Sequence, residues 1–154
     1  MKIYVDADGC PVVDVAISIA KIYGLDIIIV KNYAHQIEDD YAEIVSVDIS
    51  SDSADLYIVN QIKRNDIVIT QDYGLAALSL SKGAIAINQN GIIYTNKNMD
   101  QLLGQRHIHR ELRRQGHFVG KARKRNSKQD KSFEIRLKDL IKSKKEEMYG
   151  SDHR

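Results

Sequence analysis

Short apolar runs alternate with segments of helical periodicity through the first half of the chain. The apolar runs predict strands over residues 3–5, 26–30, 44–47 and 66–70. Helices are predicted over residues 11–23, from Ser51 or Ser53 to about Arg64, and from about Leu75 to Gly83. The continuous Ile-Ile-Ile-Val run of the second strand is typical of a strand covered on both faces. The repeated strand-then-helix order predicts an α/β fold of three layers, α/β/α, around a mainly parallel sheet.

The pattern changes after residue 83. Residues 84–87 and 92–95 flank Asn90-Gly91, which predicts a hairpin with a type I′ turn and an antiparallel edge strand. A helix is predicted from Asn98 to about Gln115, and residues 116–130 are polar and basic, which indicates a flexible arm. Phe133, Leu137, Leu140 and Ile141 then recur at helical spacing. We therefore expect an α/β domain over 1–115, a basic arm over 116–130 and an amphipathic helix over 131–150, which packs on the domain or on a partner.

Composition and charge narrow the class of protein. The 154 residues suffice for one core, and the single cysteine cannot form an internal disulfide. No apolar run is long enough for a bilayer and no secretory pattern opens the chain, so we predict a cytoplasmic protein without a membrane partner. Residues 1–105 carry 7 Lys and Arg against 14 Asp and Glu, a net charge of −7, whereas residues 106–154 carry 16 against 7, a net charge of +9.

Aspartates follow several of the predicted strands. Asp6, Asp8, Asp48 and Asp72 lie at or just past strand ends, and Asp55 lies in the first turn of a helix. In a parallel α/β sheet the functional crevice lies beyond the carboxyl ends of the strands. A turn or helix cap explains any one aspartate, Asp48 above all, but not the whole set.

Carboxylates held close together repel one another, and a divalent cation relieves that repulsion. We therefore predict that Mg²⁺ or Mn²⁺ binds at Asp6, Asp8, Asp55 and Asp72, where it activates water against a phosphodiester. Cys10, Asn32 and Thr70 are further candidates for the same pocket.

The basic residues supply a candidate surface for nucleic acid, which we expect to be RNA. The predicted contacts are Arg106, Arg110, Arg113, Arg114, Lys121, Arg123, Lys124 and Arg125. The first four recur at three- and four-residue spacing and so form a stripe on one helix. The alternative is a solvated basic face that only offsets the acidic part of the chain.

A known family shares the motifs that carry these aspartates. The segment Asp6-Ala7-Asp8-Gly9-Cys10-Pro11-Val12 resembles the hallmark Asp-Ala-Asp-Ala-Cys-Pro-Val of the bacterial YaiI/YqxD family, with Gly9 in place of the usual Ala. The resemblance extends to Ser53-Ala54-Asp55, to residues 70–76 and to residues 106–133.

That family in turn resembles the PIN-like and NYN nuclease domains. These have one aspartate after the first strand, an acidic residue on a central helix and a third in a Thr-x-Asp turn. Asp6 or Asp8, Asp55 and Asp72 match those places. The resemblance implies a PIN-like fold and a divalent-metal-dependent ribonuclease.

Two other functions fit parts of the sequence. The segment Tyr4-Val5-Asp6-Ala7-Asp8-Gly9 also resembles the first motif of haloacid-dehalogenase-type phosphatases, in which the first Asp is a nucleophile and the second a general acid. Those enzymes also need a lysine near the phosphate and a late acidic pair, whereas the strand ends after Asp72 offer only Asn88. A regulatory RNA-binding domain that keeps the acidic cluster without turnover is the other alternative. The oligomeric state and the choice between endonuclease and exonuclease stay open.

Overall fold

The computed structural model describes residues 1–33, 36–50, 53–116 and 124–150, apart from the side chains of Arg106 and His109. Within these ranges the strands are β1 (Ile3–Asp6), β2 (Ile27–Asn32), β3 (Glu43–Val47), β4 (Ile67–Ile69) and β5 (Ile85–Ile87). The helices are α1 (Val13–Tyr23), α2 (Ser53–Gln61), α3 (Tyr73–Ser81), α4 (Asn96–Arg114) and α5 (Ser127–Gly150). None of the helices in the described ranges combines the length and apolar character needed to cross a bilayer.

The five strands form one parallel sheet in the order β3-β2-β1-β4-β5. The chain builds outward from β1 to the edge strand β3, then crosses back to β4 on the other side of β1. The strand order therefore reverses at β1, and in sheets of this kind ligands bind at the carboxyl end of such a switch point. The predicted parallel α/β fold is confirmed.

Helices cover both faces of the sheet, as the apolar β2 run predicts. Ile27 and Ile29 pack into the core that contains α1 and α5, whereas Ile28 and Val30 pack into the core that contains α2 and α3. The alternation follows from the two-residue repeat of a strand, which turns successive side chains to opposite faces. Three layers, α/β/α, result.

Helix α5 is part of the domain core. Phe133, Leu137 and Ile141 are fully buried in the same cluster as the apolar residues of α1. The Lys145 Nζ donates a hydrogen bond of 2.8 Å to the Tyr23 carbonyl at the end of α1. The helix was predicted to pack on the domain or on a partner, and in the structure it packs on the domain.

Helix α5 also begins four residues earlier than residue 131. The Asn126 side-chain oxygen accepts hydrogen bonds from the N–H groups of Lys128 and Gln129, and the Gln129 side chain accepts one from the Asn126 N–H. This reciprocal cap satisfies N–H groups that the first turn of a helix leaves free. Polar composition alone had indicated a flexible segment there.

The antiparallel edge strand predicted over residues 92–95 is not formed. After β5 the chain reverses and makes a single antiparallel bridge between Ile87 and Ile93. Thr95 already caps α4 through a capping box with Asn98, so the chain leaves the sheet at once. The turn is also not type I′, because Asn90 is not among the described residues with a positive φ.

The turn after β5 is fixed by side-chain hydrogen bonds and by α5. The Asn88 Oδ1 accepts from the N–H groups of Asn90 and Ile92, both at 2.9 Å. Gly91 has a φ of 86°, and a Cβ there would lie 2.9 Å from the Ser132 carbonyl oxygen. Glycine is therefore required by the close approach of α5 as well as by the backbone conformation.

Candidate functional site

The carboxyl ends of β1 and β4 lie side by side and carry the central polar residues. Asp6 is the last residue of β1, and Thr70 follows β4 directly. Asp8 lies in the turn after β1, where Gly9 adopts a φ of 73°. Neighbouring parallel strands thus bring residues 64 positions apart in sequence into contact.

Thr70 links two of these aspartates. Its Oγ1 donates a hydrogen bond of 2.9 Å to the Asp6 Oδ2 and accepts one of 3.0 Å from the Asp72 N–H. The Asp72 Oδ1 in turn accepts a hydrogen bond from the Leu75 N–H at 3.0 Å, which makes Asp72 the N-cap of α3. Thr70 is 2% exposed. The Asp6 carboxylate and the Asp72 loop are therefore held in one fixed arrangement.

An open cavity of about 450 Å³ lies over this arrangement. The carboxylates that line it are Asp6, Asp8 and Asp72. The remaining lining residues are Gly9, Gln71, Tyr73, Gly74 and Leu103. Gln71 joins the loops after β4 and β1, because its Nε2 donates a hydrogen bond of 3.0 Å to the Gly9 carbonyl.

The environment of Asp6 disfavours its charged form. Burial raises the pKa of the Asp6 carboxyl, the hydrogen bond from Thr70 opposes that rise, and the negative charges of Asp72 and Asp8 add to it. A cation near these three carboxylates would offset both the burial cost and the repulsion.

This electrostatic cost has a measurable effect on stability. A carboxyl whose pKa is raised by folding stabilises the fold only while it is protonated, so its contribution falls as pH rises through the raised pKa. We therefore expect Asp6→Asn to raise the melting temperature in EDTA at about pH 7 and to lose that advantage below about pH 4, where both forms are neutral. For a domain of this size, each change of about 1 kcal/mol in the free energy of unfolding moves the melting temperature by ~2–4 °C. Thermal denaturation across pH measures it, and a lower melting temperature for the variant at neutral pH would contradict the expectation.

The cavity fits a cation in part. Carboxylate oxygens are the ligands that Mg²⁺ and Mn²⁺ prefer, and Mg²⁺ keeps several waters and binds through one or two carboxylates. Within the described ranges no three His, Cys, Asp or Glu side chains are arranged to hold an ion directly. The residues therefore suit a hydrated ion at Asp6, Asp8 and Asp72 and not a cage of protein ligands.

Asp55 does not line this cavity. It lies in the first turn of α2, which follows β3 in the chain and packs against β2 and β1. Of the four aspartates expected to converge, three line the cavity. Asp48, which follows β3, is exposed and also lies outside the cavity.

The three further candidates for the pocket, Asn32, Cys10 and Thr70, have different positions. The Asn32 N–H donates a hydrogen bond of 3.4 Å to the Asp8 Oδ1, so Asn32 contacts the site through its backbone. Cys10 lines a second cavity with Val13 and Asp14, and burial raises the pKa of its thiol. Thr70 hydrogen-bonds the Asp6 carboxylate and the Asp72 N–H, and none of these three candidates is among the residues that line the cavity.

The predicted basic surface divides into parts. Arg110, Arg113, Arg114 and Lys124 are exposed, and Arg114 pairs with Glu111 at 2.6 Å. Arg106 lies in α4, but its side chain is outside the described part, and Lys121 and Arg123 lie outside the described residues.

Arg125 has a structural contact. Its guanidinium donates hydrogen bonds to the Asn90 side chain at 2.7 Å, to the Gln89 carbonyl, and to Asp130 at 2.6 Å. It therefore ties the start of α5 to the turn after β5. We leave Arg125 out of the candidate nucleic-acid surface.

Helix α4 connects the cavity with the exposed arginines. Leu103 lines the cavity, and Arg110 and Arg114 follow it by seven and eleven residues, spacings that return to the same helix face. At 1.5 Å per residue they lie ~10 Å and ~16 Å along the helix axis from Leu103. The same face of α4 thus passes from the cavity to basic side chains.

Sequence reasoning missed Tyr73, Gln71 and Leu103 as lining residues. The adjacency of Gln71 and Tyr73 to Asp72 was an available signal, because a residue beside a strand-end aspartate shares its loop. Leu103 gave no signal, since its position depends on where α4 crosses the loop after β4.

Comparison with known proteins places the chain in a family. The family model described as "Uncharacterized BCR, YaiI/YqxD family" matches residues 4–143. The chain belongs to the YaiI/YqxD family. It is similar to a UPF0178 protein of Alkaliphilus oremlandii, with 51% identity over 87% of this chain and 86% of the relative. It is also similar to a UPF0178 protein of Ruminiclostridium cellulolyticum, with 44% identity over 95% of both chains. No solved structure matches the chain. The resemblance to PIN-like domains stays a prediction.

Proposed function

We propose that this YaiI/YqxD family member is a divalent-metal-dependent nuclease that acts on RNA in the cytoplasm. The observation that carries the proposal is the Asp6–Thr70–Asp72 arrangement, whose two carboxylates line one cavity with Asp8 at the switch point of the sheet. Paired carboxylates at such a place are typical of metal-assisted phosphodiester hydrolysis.

The side chains have separate tasks in this mechanism. Asp6 and Asp8 would supply oxygen ligands to a metal ion, and Thr70 orients Asp6 by donating to its Oδ2. Asp72 uses its Oδ1 to cap α3 and lines the cavity from the opposite loop. The chemistry that Mg²⁺ or Mn²⁺ would supply there is a polarised water and neutralisation of charge at the scissile phosphate.

The lining of the cavity favours a polymer over a small phosphate ester. No lysine or arginine of the described chain is among the lining residues, so a phosphomonoester would meet no protein cation there. The phosphatase alternative requires such a lysine. An extended substrate can instead gain affinity from Arg110 and Arg114 on α4, where phosphate contacts release counterions.

A cleavage assay tests the proposal. The purified protein is incubated with end-labelled RNA in Mn²⁺, in Mg²⁺ and in EDTA, with a chromogenic phosphomonoester in parallel. We expect RNA fragments with either metal and none in EDTA. RNA binding without cleavage in any metal would favour the regulatory RNA-binding alternative, and phosphate release from the monoester alone would favour the phosphatase.

A further inference from the structure

Two of the residues that line the acidic cavity, Tyr73 and Leu103, have large apolar groups. Leu103 is 47% exposed, although it lies beside three carboxylates. Neither a hydrated metal ion nor a phosphate gains from an apolar side chain at this place. Tyr73 and Leu103 therefore suit a different part of the substrate.

Tyr73 is held in place before any ligand binds. Its ring meets the Tyr94 ring edge-to-face, with centroids 5.9 Å apart and an angle of 72° between the rings. Tyr94 is 2% exposed, and its hydroxyl donates a hydrogen bond of 3.1 Å to the Thr70 carbonyl. Thr70, which orients Asp6, thus also holds Tyr94, the residue that supports the Tyr73 ring. Aromatic groups fixed in this way lose little entropy when they bind a flat ligand.

A nucleobase suits the apolar groups of Tyr73 and Leu103. Its faces are flat and apolar, and base–aromatic stacking is tolerant of sequence. A nucleotide whose base lies against Tyr73 and Leu103 has its phosphate within reach of the carboxylate cluster, because all of these residues line the same cavity.

We propose that Tyr73 and Leu103 bind an unstacked base, so that the site takes single-stranded RNA and not duplex RNA. The proposal rests on the nuclease function proposed above, since it places the base relative to the same phosphate. In a duplex the base faces are covered by neighbouring bases, so they are not free to pack against Tyr73 and Leu103.

The test compares RNA affinity in EDTA, where no cleavage is expected. Fluorescence anisotropy with a short unstructured RNA is measured for the parent, Tyr73→Phe, Tyr73→Leu and Tyr149→Leu. Tyr149 is a 60% exposed tyrosine near the end of α5 and is the matched control. We expect Tyr73→Leu to weaken binding about 5- to 100-fold and the other two variants to stay near the parent, because Phe keeps the stacking face.

Further measurements keep the result decisive. Leu103→Ser should also weaken single-strand binding. Because it alters an exposed position, it serves as the test variant if Tyr73→Leu proves unstable. The duplex of the same RNA should bind the parent more weakly and respond to neither change. Equal affinities of the parent and both variants for the single strand would overturn the base-binding proposal.

The two proposals fail in different ways. Loss of single-strand affinity in Tyr73→Leu without any metal-dependent cleavage by the parent would keep the base site and reject the nuclease. Cleavage that proceeds with unchanged single-strand affinity in Tyr73→Leu and Leu103→Ser would keep the nuclease and reject the base site. A parent protein that binds no RNA would reject both.

Discussion

Asp72→Asn will lower the rate of Mn²⁺-dependent RNA cleavage by more than about 100-fold. Replacing groups that only support metal ligands typically costs 10–100-fold, and Asp72 lines the cavity itself. The substitution removes a negative charge but keeps an oxygen that can accept from the Leu75 N–H, and Asn is as good an N-cap as Asp. The fold should therefore be retained while the charge needed to hold the ion is lost.

The matched control is Asp26→Asn. Asp26 is an exposed aspartate just before β2, at the opposite end of the sheet from the cavity. Its variant should cleave at the parental rate. Single-turnover cleavage of labelled RNA, followed at saturating Mn²⁺ by gel electrophoresis, gives both rates. Parental activity in Asp72→Asn would show that the chemistry takes place elsewhere.

Leu137→Ala will lower the free energy of unfolding by about 2–5 kcal/mol. Leu137 is a fully buried residue of α5 that packs in the same core as the apolar residues of α1. The shortened side chain therefore leaves a cavity and loses its apolar contacts. The effect is large against a typical domain stability of about 5–15 kcal/mol. Urea denaturation followed by circular dichroism measures it.

Ile135→Ala on the same helix provides the comparison. Isoleucine and leucine have the same atoms, and Ile135 is 50% exposed. Its truncation should change the free energy of unfolding by no more than about 0.5 kcal/mol. Equal losses for the two variants would mean that α5 does not depend on its buried face, contrary to the structure.

Local sequence patterns predicted most of the strands and helices but not the order of the strands in the sheet. The apolar run of β2 indicated a strand covered on both faces, and the Asp6 and Asp72 positions followed from strand ends. Periodicity reports which residues end a strand but not which strands are neighbours. Asp55 was expected to line the cavity, and it is not among the lining residues that the structure describes.

Charge counting in the second half of the chain had a similar limit. The basic run from residue 106 predicted a surface for phosphates, and Arg110 and Arg114 are exposed on α4, with Arg114 paired to Glu111. Arg125 was counted with them, yet its guanidinium is occupied by acceptors from the β5 turn and from α5. Only the three-dimensional position of acceptors distant in sequence distinguishes an arginine that holds the fold together from one that is exposed on a helix.

The packing of α5 on α1 also constrains how the protein is made. Ribosomes synthesise chains from the N-terminus, so β1 and α1 emerge well before Phe133, Leu137 and Ile141. The apolar surface of α1 that these residues cover stays open to solvent in the interval. Nascent chains that end before residue 133 therefore expose part of the core, which is completed only once α5 has left the ribosome.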